Sequence, residues 1–94
     1  MTENKNIETF DELADIIRSR LNELKPVTLD IIDDSHLHAG HGGAHGGPSH
    51  LTVRIVTTRF HGLSPVARHR LVYDRLQDLI PYPIHALALD TKTP

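Results

Sequence analysis

Residues 50–79 read HLTVRIVTTRFHGLSPVARHRLVYDRLQDL, and the pattern of this stretch changes once, near its middle. From His50 to Thr58 apolar and polar residues alternate: Leu51, Val53 and Ile55 point one way, and Thr52, Arg54, Val56 and Thr58 the other. A period of two carried by β-branched residues predicts a strand. The segment FHGLSP over 60–65 interrupts it. Gly62 suits a turn, Ser64 is a good helix N-cap, and Pro65 fits the first helical position. From there the period becomes helical. His69, Val72, Leu76 and Leu79 share one face, which is expected to meet the sheet, with His69 as a core histidine. Arg68, Leu71 and Arg75 form the neighbouring stripe, and the helix is expected to run to about Leu79, before Pro81 and Pro83. A short apolar strand, IHALAL over 84–89, comes next. A strand–helix–strand unit normally closes by a right-handed crossover, which pairs its two strands in parallel.

Upstream, Thr9 followed by Glu12 is a capping-box pattern. Phe10, Leu13, Ile17, Leu21 and Leu24 then recur at spacings of three and four, so a helix is expected over 9–24, ended by Pro26. Val27, Leu29 and Ile31 alternate with Thr28, Asp30 and Ile32, which predicts a strand over 27–33. Two successive strands joined by a loop read as an antiparallel hairpin. The order is therefore α-β-β-α-β, an α+β fold with a mixed three-stranded sheet and both helices on one face. Residues 1–94 form a single domain, with 1–7 expected to be disordered.

The hairpin connection is unusual. Residues 36–50 read HLHAGHGGAHGGPSH and hold five of the eight histidines and five of the six glycines. So many glycines exclude helix or strand, because glycine loses the most backbone entropy on ordering. Residues 36–49 are expected to be a long loop, and loops of this length inside a small domain are usually functional or disordered. A loop rich in imidazoles invites borderline metals such as iron, zinc, copper or nickel. The plain alternative is a solvated His/Gly linker.

Composition narrows the classes. No run approaches the roughly 20 apolar residues of a membrane span, and MTENKNIETF has no apolar signal-peptide core. A cytoplasmic protein without a membrane partner is expected. The chain has no cysteine, so thiolate nucleophiles and thiolate ligands of its own are excluded. Net charge is -2, against strong non-specific nucleic-acid binding. The charge is uneven, however: residues 1–34 carry nine acids and four bases, whereas residues 35–89 carry two acids and five arginines, all five between Arg54 and Arg75. Neither a nucleophile–base pair nor a two-carboxylate motif is visible. An enzyme, and with it a small-molecule substrate, is not expected.

Several of these residues fall into a known pattern. Phe60-x-Gly62, Arg68-His69-Arg70-Leu71-Val72-Tyr73, Leu76, Ile84-His85-Ala86-Leu87 and Thr91-x-Thr93-Pro94 together resemble the signature of the BolA family. Asp33-Asp34-Ser35-His36 and Ser49-His50-Leu51 are similar to the strand ends that flank that family's variable loop. The resemblance covers about residues 9–94 and implies a fold like class II KH domains. One departure is that Gly62-Leu63-Ser64-Pro65 stands near the place of the GxxG loop of nucleic-acid-binding KH domains.

The resemblance implies two roles. In the first, the protein forms a heterodimer with a monothiol glutaredoxin of the CGFS type and shares a [2Fe-2S] cluster in binding, trafficking or iron and redox regulation. The ligands implied are His85 and a loop histidine, His38 or His41. Without the resemblance, His85 in its apolar strand reads as a partly buried core histidine. A cysteine-free chain suits a shared cluster, since two histidines can serve one iron while a partner supplies thiolates. No cluster bound tightly by the isolated chain is expected. The second role is transcriptional regulation by binding DNA through the region 60–76, with Arg68, Arg70 and Arg75 on phosphates. The plain reading of these arginines is a solvated helix face, with Arg68 or Arg70 tied to the acidic first strand or helix 1. A third role, from composition alone, is a metal carrier that works without a partner.

Overall fold

A computed structural model of the chain describes residues 9–34 and 49–94. The expectations for residues 1–7 and for the loop lie outside the described residues, except that Ser49 already belongs to a strand. Helix α1 spans Phe10–Leu21. It begins as expected: the Thr9 hydroxyl accepts from the Glu12 N–H at 3.1 Å, and the Glu12 carboxylate accepts from the Thr9 N–H at 3.1 Å. Such a cap is worth about 1 kcal/mol. Leu13, Ala14, Ile17 and Leu21 are buried along one face. The helix is shorter than its periodicity suggests. After Leu21 the chain tightens into a 3-10 turn, Asn22–Leu24, which still delivers Leu24 to the core. Lys25 then takes a left-handed conformation, φ 50°, ahead of Pro26.

Strand β1 is Thr28–Asp33, β2 is Ser49–Val56 and β3 is Ile84–Lys92. The sheet order is β1-β2-β3, antiparallel between β1 and β2 and parallel between β2 and β3. Register decides the faces. Leu29, Ile31 and Asp33 pair with Ile55, Val53 and Leu51. Leu51, Val53 and Ile55 pair in turn with Leu87, Leu89 and Thr91. These positions face the helices, and the apolar ones among them join the core. The opposite face carries Asp30, Arg54 and Asp90 in one cross-strand row. β3 runs three residues beyond the apolar stretch that predicts it, because Asp90, Thr91 and Lys92 go on pairing with the end of β2.

Helix α2 spans Pro65–Tyr73, with the Ser64 hydroxyl accepting from the Ala67 N–H at 3.1 Å. It ends six residues before the expected Leu79. From there the chain proceeds by three-residue turns: the Arg75 and Leu76 N–H groups donate to the Val72 and Tyr73 carbonyls, and Gln77–Leu79 is a 3-10 turn. The tighter winding keeps Val72, Leu76 and Leu79 on one side, all fully buried. It does not extend that side back to His69, which is exposed rather than a core residue. The Ile80–Pro81 and Tyr82–Pro83 peptides that lead into β3 are both cis.

One polar residue ties these pieces together. Thr57 is fully buried just after β2. Its hydroxyl donates to the Leu24 carbonyl at 2.6 Å and accepts from the Arg59 N–H at 3.1 Å, while its own N–H donates to the Lys92 carbonyl at 3.1 Å. Thr57→Val keeps the shape and removes the hydroxyl, leaving two backbone groups without their partner. A loss of about 1–3 kcal/mol is expected. It will be read as a lower urea midpoint at an unchanged denaturant slope.

Candidate metal centre

His85 lies near the start of β3, and the pairing there is irregular. Ser49 pairs with Ile84 and the next residue, His50, pairs with Ala86. His85 is thus the extra residue of a β-bulge. Bulges re-aim side chains, and here the bulged residue is exposed while its neighbour Ile84 is fully buried. The expectation drawn from hydropathy alone, a partly buried core histidine, does not describe His85.

The ring of His85 stands beside that of His50, with centroids 5.2 Å apart and planes inclined by 51°. His50 is half-buried, and its backbone is fixed from the β1 side, where the Asp34 N–H donates to the His50 carbonyl at 2.7 Å. The Asp34 carboxylate in turn accepts from the Thr52 hydroxyl at 2.5 Å. Two imidazoles therefore sit at the end of the sheet where β1 ends and β2 and β3 begin, His50 at the second root of the histidine-rich connection and His85 on the strand next to it. The expected loop ligands, His38 and His41, lie outside the described residues. His50 is the partner that periodicity assigns to a strand end and not to the site. Its pairing with the start of β3, 35 positions away, shows only in the register. No group of three or more potential metal ligands occurs among the described residues.

The three arginines of the alternative site are not equivalent. Arg68 Nε donates to the Leu63 carbonyl at 3.0 Å, and its guanidinium lies 6.0 Å from the centre of the Phe60 ring. Arg75 Nη1 donates to the Leu71 carbonyl at 3.2 Å. Arg75 Nε lies 3.2 Å from Glu23 Oε1, in ion-pair range but without the alignment of a hydrogen bond. The Arg75 carbonyl accepts from Arg20, whose guanidinium also grips the Asp78 carboxylate. That hydrogen bond, more than Coulomb attraction, raises the Arg20 pKa further above its usual value against the lowering effect of burial. Arg68 and Arg75 thus hold the helical layer together. Arg70 is exposed and lines a groove of about 570 Å³ between α2 and β3, with Val66, His69, Tyr73 and Leu87–Leu89.

These features define a class: a two-layer α+β domain whose sheet carries an exposed histidine on a parallel strand, at the end of the sheet where β1 ends and β2 begins. A family model described as BolA-like protein matches residues 21–94, and the chain belongs to the BolA family. It is 46% identical over 84 residues to SufE-like protein 1, chloroplastic/mitochondrial, of Arabidopsis thaliana, covering 83% of this chain and 23% of that protein. It is 43% identical over 82 residues to the DNA-binding transcriptional regulator BolA of Vibrio cholerae, covering 86% of this chain and 74% of that one. The solved structure of BolA1 from Arabidopsis thaliana superposes with a TM-score of 0.71 at 39% identity, covering 86% of this chain and 90% of that one. The chain spans little more than half the length, or less, of several curated relatives that it matches.

The arginine contacts separate stability from binding. Arg75→Ala is expected to lower the unfolding free energy by about 1–2 kcal/mol through lost packing and lost backbone bonding. Arg70→Ala should stay within about 0.5 kcal/mol of the parent, as exposed substitutions do. Paired urea titrations check both values.

Proposed function

We propose that this protein works with a monothiol glutaredoxin, sharing a [2Fe-2S] cluster that it helps to bind, pass on or sense. The observation that carries this reading is the exposed, bulged imidazole of His85 beside a second imidazole at the second root of the histidine-rich loop. The donor set suits the cargo. Two imidazoles can serve one iron of such a cluster, whose other ligands are thiolates. The chain has no cysteine, so the sulfur comes from the partner. His85 is the first ligand; the second is a histidine of the loop or its root, His38, His41 or His50. The role is binding rather than catalysis. Its location need only be a compartment that also holds the glutaredoxin. No helix among the described residues is long and apolar enough to cross a membrane.

A second reading, DNA binding, takes its support from the printed name of the Vibrio cholerae relative and from the exposure of Arg70. Arg68 and Arg75 are engaged in the fold, which leaves α2 with one exposed arginine for phosphate. Affinity for DNA should fall steeply with salt if phosphate contacts dominate. In mobility shifts, Arg70→Glu should weaken binding without unfolding the domain; unchanged binding removes this helix from the reading.

The cluster reading is tested by purifying the pair anaerobically and recording visible absorption and circular dichroism. His85→Ala is expected to remove or shift the cluster bands while the isolated variant stays folded. Identical bands in both complexes would exclude His85 as a ligand.

A further inference from the structure

Strand β3 has a neighbour on one side only. The sheet order is β1-β2-β3, so the far edge of Ile84–Lys92 has no strand to pair with among the described residues. Free edges are normally blunted by prolines, lysines or bulges, because their open N–H and C=O groups recruit other strands. On β3 such devices stand only near the ends, the bulge at His85 and the lysine at Lys92. Between them Ala86, Leu87, Ala88 and Leu89 carry no charge and pair regularly with β2. The groove beside this edge is apolar too. Leu87 and Leu89 line it from the strand, and Val66 and Tyr73, 68% and 42% exposed, line it from α2. We infer that this edge binds a second copy of the chain. The two β3 strands pair antiparallel about a two-fold axis at Ala88, forming one six-stranded sheet with the helices of both copies on the same face.

Three observations select a second copy over an unrelated strand. The first is register. A two-fold axis perpendicular to the sheet preserves its faces, so each residue meets only residues that point the same way. With the axis at Ala88, Leu87 meets the second copy's Leu89 and Leu89 its Leu87, and the two apolar grooves become continuous. An axis at Leu87 would set Leu89 against the bulged His85, and an axis at Leu89 would set Leu87 against Thr91. The second observation is charge. Arg70 and Asp74 line the same groove, and neither side chain has an ion pair or hydrogen bond among the described residues. They stay apart although a spacing of four on a helix would let them meet. Each copy thus offers one free cation and one free anion, and the two-fold reverses their order in the facing copy, setting Arg70 towards Asp74 twice. The third is room. Ala88 is small and exposed, so no bulky side chain stands on the axis. The pairing uses both β3 edges, and assembly stops at two.

The contact is small, so the dimer depends on concentration. Sedimentation equilibrium of the isolated chain is expected to show monomer and dimer, with a dissociation constant between about 1 μM and 1 mM. Ala88→Glu, at an exposed position, sets two carboxylates directly opposite each other on the axis. It should raise that constant by about tenfold or more while leaving far-ultraviolet circular dichroism and the urea midpoint unchanged. Asp74→Arg should weaken the dimer several-fold by opposing two cations. Since the chain has no cysteine, Ala88→Cys supplies a single thiol. Oxidation with diamide should then join two copies across the axis, within the reach of a disulfide. Thr58→Cys, exposed beyond the far end of β2, should not cross-link. A chain that stays monomeric at about 1 mM would overturn the inference and leave the edge to a different protein. A dimer unaffected by Ala88→Glu would overturn it as well, by placing the contact elsewhere. Because neither glutaredoxin nor DNA enters the experiment, its failure leaves both earlier readings standing.

Discussion

The apolar face of β2 is the constraint on which the rest of the molecule depends. Leu51, Val53 and Ile55 are at most 2% exposed, and β2 alone of the three strands has a neighbour on each side. A strand with one buried face cannot slip by one residue without turning that face to water. Both partners inherit this fixed register: Leu29 and Ile31 on one side, Leu87 and Leu89 on the other, are placed against the same core. The helices follow, since α1 and α2 with its succeeding turns have only this face on which to bury their apolar residues. Charge pairs matter less. Arg54–Asp90 and Lys92–Asp90 are separated by 4.0 and 3.8 Å on the solvated face, where such pairs contribute little.

The same register brings His50 and His85 together. Parallel pairing brings the starts of β2 and β3 to one end of the sheet, and antiparallel pairing brings the end of β1 there too. A connection leaving Asp34 and returning at Ser49 therefore begins and ends at the end of the sheet where His85 lies, with β2 between Asp34 and His85. The nearness of His50 and His85 follows from the strand directions. The opposite end of the sheet is closed by Thr57, which joins the turn after β2 to Leu24 and Lys92.

Local signals in the sequence accounted for much of this. Caps at Thr9 and Ser64 and the alternation in β1 and β2 located the elements, because they are short-range effects. The family resemblance singled out His85. Three features were not legible. Helical spacing of Val72, Leu76 and Leu79 fits three-residue turns nearly as well as an α-helix, so the end of α2 and the exposure of His69 were missed. Arg68 and Arg75 looked like a basic stripe because their acceptors are backbone carbonyls, which leave no trace in composition. His50 was set down as a strand end because its closeness to His85 arises from a bulge between strands distant in sequence. That signal exists only in three dimensions.

The bulge also separates two kinds of information in β3. Ile84 faces the core and Ala86 the opposite side. Strike out His85, and these two become consecutive, alternate as a regular strand requires, and keep their partners Ser49 and His50. The ladder from Ala86 to Lys92 is unchanged by the deletion. In coding terms His85 is an insertion into a strand that is already complete, so the pairing arithmetic tolerates its presence and does not require it. The chain keeps this exposed imidazole outside the words that spell its fold.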